Sequence, residues 1–459
     1  MRGTKQSVSM EQQLKAYENY KDSGIHFLGE IPKEWKTARL KEITNPLTGF
    51  PFKSSEYSDK GIKLARGINV KEGVFNWKDT KYWSNLEPFL NKYFLKNGDI
   101  LIQMDGSKVG KNFCKVKNED LPILLLQRVT RLRVKKELSS DFLYYTLASK
   151  GFFYWVTITK TDPMVPHIAP KDINNYIIPF PPLKEQTQIA NYLDAKTSTI
   201  DKKINLLQQK IKHYKTYRKM VINETVTKGL ENDFSKWVSC RLKDIGYLYS
   251  GLSGKSGNDF NQDDNPNNRG FIPFTNIANN TYLDQNHLGT VVIEEKEKQN
   301  QVRKNDIFFL MSSEGYEDIG KSAVLIEDIE ETYLNSFCKG FRITNKNCEA
   351  SFINYLLFSD SYRQKMLVEG KGFTRINLKM EKVHNFSILI PPTKKEQQQI
   401  ANYLDAKTTT IDKIVNNIEA QITMLKELRK TLINEVVTGK VKVTSTSLSH
   451  QKASNQPIV

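Results

Sequence analysis

The stretch EQTQIANYLDAKTSTIDK runs from Glu185 to Lys202. The chain repeats it as EQQQIANYLDAKTTTIDK from Glu396 to Lys413, with 16 of 18 positions identical at a separation of 211 residues. The duplication spreads outward from there. WKTARLKEI (Trp35–Ile43) pairs with WVSCRLKDI (Trp237–Ile245), and NGDILIQM (Asn97–Met104) with KNDIFFLM (Lys304–Met311). FLYYTLAS (Phe142–Ser149) pairs with FINYLLFS (Phe352–Ser359), IIPFPP (Ile177–Pro182) with ILIPP (Ile388–Pro392), and INETVTKG at Ile222 with INEVVTGK at Ile433. The offset drifts from 202 to 211, so insertions fall in the first part of each half and the second part keeps its count. A period this long is not a solenoid repeat. It is a duplicated pair, each half a variable globular portion followed by a rigid segment.

The rigid segments carry helical periodicity. Leu193, Ile200, Leu207, Tyr214 and Val221 recur every seven residues, interleaved by Ile204 and Ile211. The second segment repeats the register with Leu404, Ile411, Ile418, Leu425 and Leu432, interleaved by Val415 and Ile422. Alternating steps of three and four over several heptads make a coiled-coil seam. Pro181-Pro182 and Pro391-Pro392 end the preceding strand and open each helix. Arginine interrupts both seams, at Arg218 and Arg429, either to fix register or meet a partner, or simply extending its head to solvent. Two long helices, each needing an apolar partner, pack most simply on each other, antiparallel, as spacers between globular portions.

The expected organisation is an N-terminal segment (1–30), a first globular domain (31–182) and a first helical region (183–229). A second globular domain (230–392), a second helical region (393–443) and a disordered tail (444–459) follow. The globular portions mix short β-like runs with Gly- and Asn-rich loops, so the fold class is α/β (α+β) with an internal pseudo-twofold repeat. MEQQLKAYENYK (Met10–Lys21) is expected to be a helix that closes the circle near the C-terminal coil.

Composition narrows the function. A net charge of +17 attracts polyanions, above all nucleic acid. No run approaches the roughly 20 apolar residues of a spanning helix, and the N-terminus has no signal-peptide core. Four cysteines without CxxC spacing imply reduced thiols, a cytoplasmic protein and no zinc site. GYEDIGKS (Gly315–Ser322) fits the phosphate-loop pattern, but its acids would repel phosphate and SAVLIEDI after it is strand-like, so a turn with Lys321 free to touch phosphate fits better. No other catalytic signature occurs, nor does the [DN]PP[YF] tetrapeptide of the amino-methyltransferases.

Loops rich in Arg, Asn, Gln and Lys supply candidates for DNA contact, since these side chains match base edges and phosphates. In the first portion they are Lys63, Arg66, Asn69, Ser107, Lys108, Lys111, Gln127, Arg128 and Arg131. In the second they are Arg269, Asn276, Asn279, Ser312, Ser313, Tyr316, Lys321, Lys371 and Arg375. Such loops recur at matching places but differ in sequence, as two readers of two half-sites would.

PPLKEQTQIANYLDAKTSTIDKKI (Pro181–Ile204) with ETVTKG (Glu224–Gly229), its second copy, and GIHFLGEIPKEWKTARLKEI (Gly24–Ile43) resemble the DNA-specificity subunits of type I restriction–modification systems over nearly the whole chain. The resemblance implies two target recognition domains in a cyclic pseudo-twofold frame, reading a split asymmetric DNA sequence. It implies two docked adenine methyltransferase subunits that use S-adenosylmethionine, joined by an ATP-driven translocase and nuclease. Cofactors (S-adenosylmethionine, ATP, Mg) would belong to those partners, and this chain would hold no catalytic centre, cofactor or metal. One departure is that GIHFLGEIP precedes only the first recognition domain. Half-site centres are expected about one helical turn, ~10 bp, apart. Two rivals stay open: a coiled-coil scaffold with non-specific nucleic-acid binding, and an NTPase using Lys321.

Overall fold

The computed structural model describes residues 16–161, 164, 166–262, 264–370, 372 and 375–443. The chain forms two compact units: the residues up to Leu206 together with those from Ala420 on, and Leu207–Glu419. The first fifteen residues and the tail from 444 lie outside the described part, and with them the expected disordered tail and half of the expected N-terminal helix. The described end of that expected helix is extended instead: Tyr20–Asp22 pairs antiparallel with Glu30–Pro32.

In the first unit, Lys36–Arg39 pairs antiparallel with Ile177–Phe180, joining the ends of the first globular portion. Between them lies a four-stranded antiparallel sheet of Thr44–Thr48, Val129–Val134, Ile100–Gln103 and Phe113–Lys115, in that spatial order. Ile100, Leu101 and Ile102 are fully buried, as continuous apolar runs covered on both faces should be. A three-stranded sheet sets Ile62–Ala65 between Tyr82–Trp83 and, in parallel, Ile123–Leu125. Helices Ser140–Leu147, Lys150–Thr159 and Pro170–Asn175 cover the first sheet's core.

The second unit repeats this order. Val238–Arg241 pairs with Ser387–Ile390. The four-stranded sheet is Gly246–Ser250, Cys338–Ile343, Ile307–Leu310 and Ser322–Val324. The three-stranded sheet sets Asn268–Ile272 between Gly289–Val292 and the parallel Thr332–Leu334.

Two long helices span Leu183–Lys228 and Lys394–Val437. Each is followed by a glycine in the left-handed region, Gly229 (φ 75°) and Gly439 (φ 74°), the usual helix stop. Gly439 is needed twice over, because a Cβ there would lie 2.4 Å from the Pro32 ring. Each unit takes the start of one helix and the end of the other into its core. Ile189, Leu193, Ile433, Val436 and Val437 join the first. Ile400, Ala401, Leu404, Val221, Ile222 and Val226 join the second.

This packing accounts for the doubled words. In the first unit Glu185 accepts the Trp35 indole N–H at 3.1 Å, and in the second Glu396 accepts that of Trp237 at 3.0 Å. Buried Gln186 donates to the carbonyls of Pro181 and Glu137 and accepts the Ser139 amide. Gln397 does the same with Pro391, Asn347 and Glu349. Asp194 accepts the Tyr145 hydroxyl at 2.6 Å, and Asp405 that of Tyr355 at 2.7 Å. Burial, then these carboxylates, push both phenol pKa values well above the usual range. Much of the repeated sequence therefore seats a globular portion on its own helix.

Along the seam Leu193, Ile200, Ile204, Val221, Leu404, Ile411, Val415, Ile418 and Ile422 are buried. Leu207, Ile211, Tyr214, Leu425 and Leu432 are half-buried. The seam arginines do not extend to open solvent. Within the second unit Arg218 meets Asp412 at 3.1 Å and Lys215 meets Glu419 at 3.7 Å, so these helix segments run antiparallel. Within the first unit Arg429 meets Asp201 at 3.0 Å, the same pair displaced by 211 residues. Arg218→Glu is expected to cost about 1 kcal/mol, with Asp412→Arg recovering most of it in a double-mutant cycle on unfolding. A cycle with no coupling would remove the register role.

Candidate nucleic-acid interface

At one end of the first unit's four-stranded sheet, three segments meet. Met104 donates its amide to the Arg128 carbonyl at 3.1 Å, and Ile168 donates to Met104 at 2.9 Å. Asp105 then bridges His167 in antiparallel pairing, and Gly106 donates to Pro166. A Cβ at Gly67 or at Gly106 would lie 3.5 Å from the Gln103 side chain, so the turn Arg66–Asn69 and the loop Asp105–Asn112 also converge there.

Side chains at this junction are polar and charged. One Asp105 oxygen bonds His167 Nδ1 at 2.5 Å, and the other accepts Arg128 Nη1 at 3.2 Å. Arg128 leaves 69% of its side chain exposed although its carboxylate partner is largely covered. Its backbone sits at φ 70°, where a bulky L-residue costs about 1 kcal/mol or more. Such strain at an exposed cation is a functional pointer. Exposed Ser107, Lys108, Lys111 and Gln127 lie on the same two loops, and Lys111 stands 4.9 Å over the exposed Phe153 ring.

The second unit builds the same junction from other residues. Leu378 donates to Met311, Ser312 pairs with Asn377, and Phe337 precedes the strand as Arg128 does. Arg375 stacks 4.8 Å over the half-exposed Phe337 ring. Tyr316 and Asn279 are exposed, while Ser312 is half-buried and Ser313 is buried.

Other candidates serve the domain itself. Asn69 is buried and donates to the carbonyls of Asn76 and Asp79; its counterpart Asn276 donates to those of Asp284 and His287. Arg131 is buried, its guanidinium held by the carbonyls of Lys92 and Asn45, so it presents no fork to a groove. Arg66 pairs with Asp79 at 2.8 Å and holds that carboxyl below its usual range. Lys63 donates to the Asp120 carbonyl, and Arg269 pairs with Glu331 at 2.9 Å. Lys321 is not free for phosphate: it meets Asp318 at 2.6 Å and donates to the Ala278 carbonyl, and Ser322 after it begins a strand. Lys371 lies outside the described residues.

Sequence reasoning passed over Asp105, His167, Phe337 and Asn377. Extending the repeat would have found two of them, since His167 and Asn377 are 210 residues apart in matching pairs.

Among the described residues, no group of three or more His, Cys, Asp or Glu could hold a metal ion. All four thiols are free; burial pushes Cys338 up to about 12 and Cys348 to about 11, which keeps them protonated and unreactive.

Comparison with known proteins agrees with this frame. A family model for the type I restriction modification DNA specificity domain matches twice, over residues 32–213 and 235–424. The chain is 24% identical to the type I restriction enzyme EcoBI specificity subunit of Escherichia coli, over 88% of this chain and 86% of that one. It is 34% identical to the EcoAI specificity subunit of Escherichia coli over 38% of this chain; that match spans 30% of the EcoAI subunit's length. A structure described as the basis of complex assembly and conformational transition of the type I R-M system superposes with a TM-score of 0.71 at 16% identity. It covers 89% of this chain and 98% of that one. The HsdS subunit from Thermoanaerobacter tengcongensis gives 0.52 at 16% identity, with the same coverage. With both halves of its repeat matched, the chain belongs to the type I restriction modification DNA specificity family.

Proposed function

We propose that this chain reads DNA for a type I restriction–modification complex, each recognition domain reading one part of a split, asymmetric duplex target. The observation that supports it most is a backbone junction repeated in both domains with different side chains upon it. A shared frame with divergent tips is what two readers of unlike sequences require. The long seams then act as an antiparallel coiled coil that spaces the two readers.

The opposite pattern supports partner docking. Asn191, Thr199 and Lys202 are exposed on the first helix, and the identical Asn402, Thr410 and Lys413 on the second. With steps of eight and three they share a helix face. These residues are not packed into their own domains, so two like partners account for their identity. Those partners are two methyltransferase subunits, which an ATP-driven translocase and nuclease joins. S-adenosylmethionine, ATP and Mg serve those subunits. Among the described residues no helix is long and apolar enough to cross a membrane.

Selection from a random duplex library by the chain bound to its methyltransferase subunits is expected to yield one split, asymmetric motif. Affinity should fall about 1,000-fold between 50 and 200 mM salt for roughly six phosphate contacts. Equal competition by random duplex would favour the scaffold reading instead.

A further inference from the structure

The two junctions are equivalent position by position. Asp105 corresponds to Ser312, each following the methionine just past the strand Ile100–Gln103 or Ile307–Leu310. His167 corresponds to Asn377, since each pairs with that residue. Arg128 corresponds to Phe337, since Val129 pairs with Gln103 as Cys338 does with Leu310. Nothing in the packing of the sheet explains why chemistry changes at all three places while the pairing persists. In the first unit they form an anion, an imidazole and a cation. In the second they form a hydroxyl, an amide and an aromatic ring carrying Arg375.

We infer that this junction is the specificity-determining centre of each recognition domain, and that in the first Arg128 reads a guanine while Asp105 positions it. The inference rests on the DNA-reading function proposed above. Arginine donates a fork that matches guanine O6 and N7 in the major groove. Only one of its donors is committed to Asp105, through Nη1, and most of the side chain is exposed. The carboxylate matters for two reasons. It fixes the direction of a long flexible side chain, and it offsets the positive charge that would otherwise favour any phosphate. A guanidinium so held discriminates by geometry rather than by attraction. His167 fixes the carboxylate from its other oxygen, leaving Asp105 one orientation. The second unit has no acid at the corresponding place. Its exposed Asn377 carries the amide that matches adenine N6 and N7. The two domains therefore read different bases through one architecture.

The test is duplex selection with the chain bound to its methyltransferase subunits, wild type beside Arg128→Ala, Arg128→Lys, Asp105→Asn and Asn377→Ala. Arg128→Ala is expected to lower the preference for guanine at one position by about 10- to 100-fold, leaving the other half of the motif intact. Arg128→Lys keeps the charge and should lose the same preference with little loss of overall affinity. Asp105→Asn should weaken that same position while raising affinity for random duplex, because the charge that offsets the Arg128 guanidinium is gone; a merely structural role would weaken all sequences alike. Asn377→Ala should relax an adenine in the other half only. A wild-type protein that selects no split motif defeats the DNA-reading proposal itself. A split motif that Arg128→Ala and Arg128→Lys both leave unchanged, or a uniform loss with Asp105→Asn, overturns the inference alone.

Discussion

Replacing Asp306 by alanine is expected to lower the unfolding free energy of the second unit by about 3–5 kcal/mol, the cost of stripping the partner from a buried ion pair. Asp306 is 1% exposed and satisfies four donors. It accepts Nε and Nη2 of Arg342 at 2.9 and 2.7 Å, the Tyr249 hydroxyl at 2.6 Å and the Arg303 amide at 2.8 Å. Hydrogen bonding to Asp306 holds the Arg342 pKa above its usual value, and the guanidinium also lies 4.9 Å over the Tyr249 ring. Removing the carboxylate takes two bonds from the Arg342 guanidinium, which keeps the Gln301 carbonyl at 2.8 Å, and takes the acceptor of the Tyr249 hydroxyl. The first unit has the same device in Asp99 and Arg133, paired twice at 2.7 Å. Among the described residues no tyrosine joins it there, so Asp99→Ala should cost less. Denaturant unfolding of the full chain checks both. A loss under about 1 kcal/mol for Asp306→Ala would mean that the pair barely repays its desolvation.

The second large effect concerns the repeated glutamine. Gln186→Leu keeps the side chain's bulk but leaves the Ser139 amide and the carbonyls of Pro181 and Glu137 without their partner. At about 1–3 kcal/mol for a buried group left unpaired, and less for the two part-buried ones, a loss of about 3 kcal/mol is expected for the first unit. Gln397→Leu should cost the second unit a similar amount, by the same three bonds. The two sites lie in separate units, so the double variant should show the two losses added. Guanidinium melts of the singles and the double read this directly. Strong non-additivity would show that the two sites are energetically coupled.

Much of this architecture was legible in the sequence because it is periodic or duplicated. The three-four spacing from Leu193 and from Leu404 fixed the long helices, and the drifting offset separated a variable portion from a constant one. What escaped was long-range. Nothing local in Ile62–Ala65 announces a parallel partner at Ile123–Leu125, because parallel pairing leaves no turn signature between neighbours. The candidate interface was legible only in part, since polar residues in loops look alike whether they face out or in. Asn69, Asn276 and Arg131 carry base-reading chemistry yet spend it on backbone carbonyls, while Asp105 carries the wrong charge for DNA and is overlooked on that account. An acid that steers an arginine is visible only once both are placed in space.

The sharing of helix ends between cores has a consequence for how the protein is made. The second unit is a single continuous stretch, Leu207–Glu419, whose core can be finished while the chain is still being extended. The first unit cannot be. Ile433, Val436, Val437 and Val443 belong to its core, and they emerge from the ribosome more than 200 residues after Leu193. Domains generally fold in the order they are synthesised. Here the recognition domain that is translated first is the one completed last.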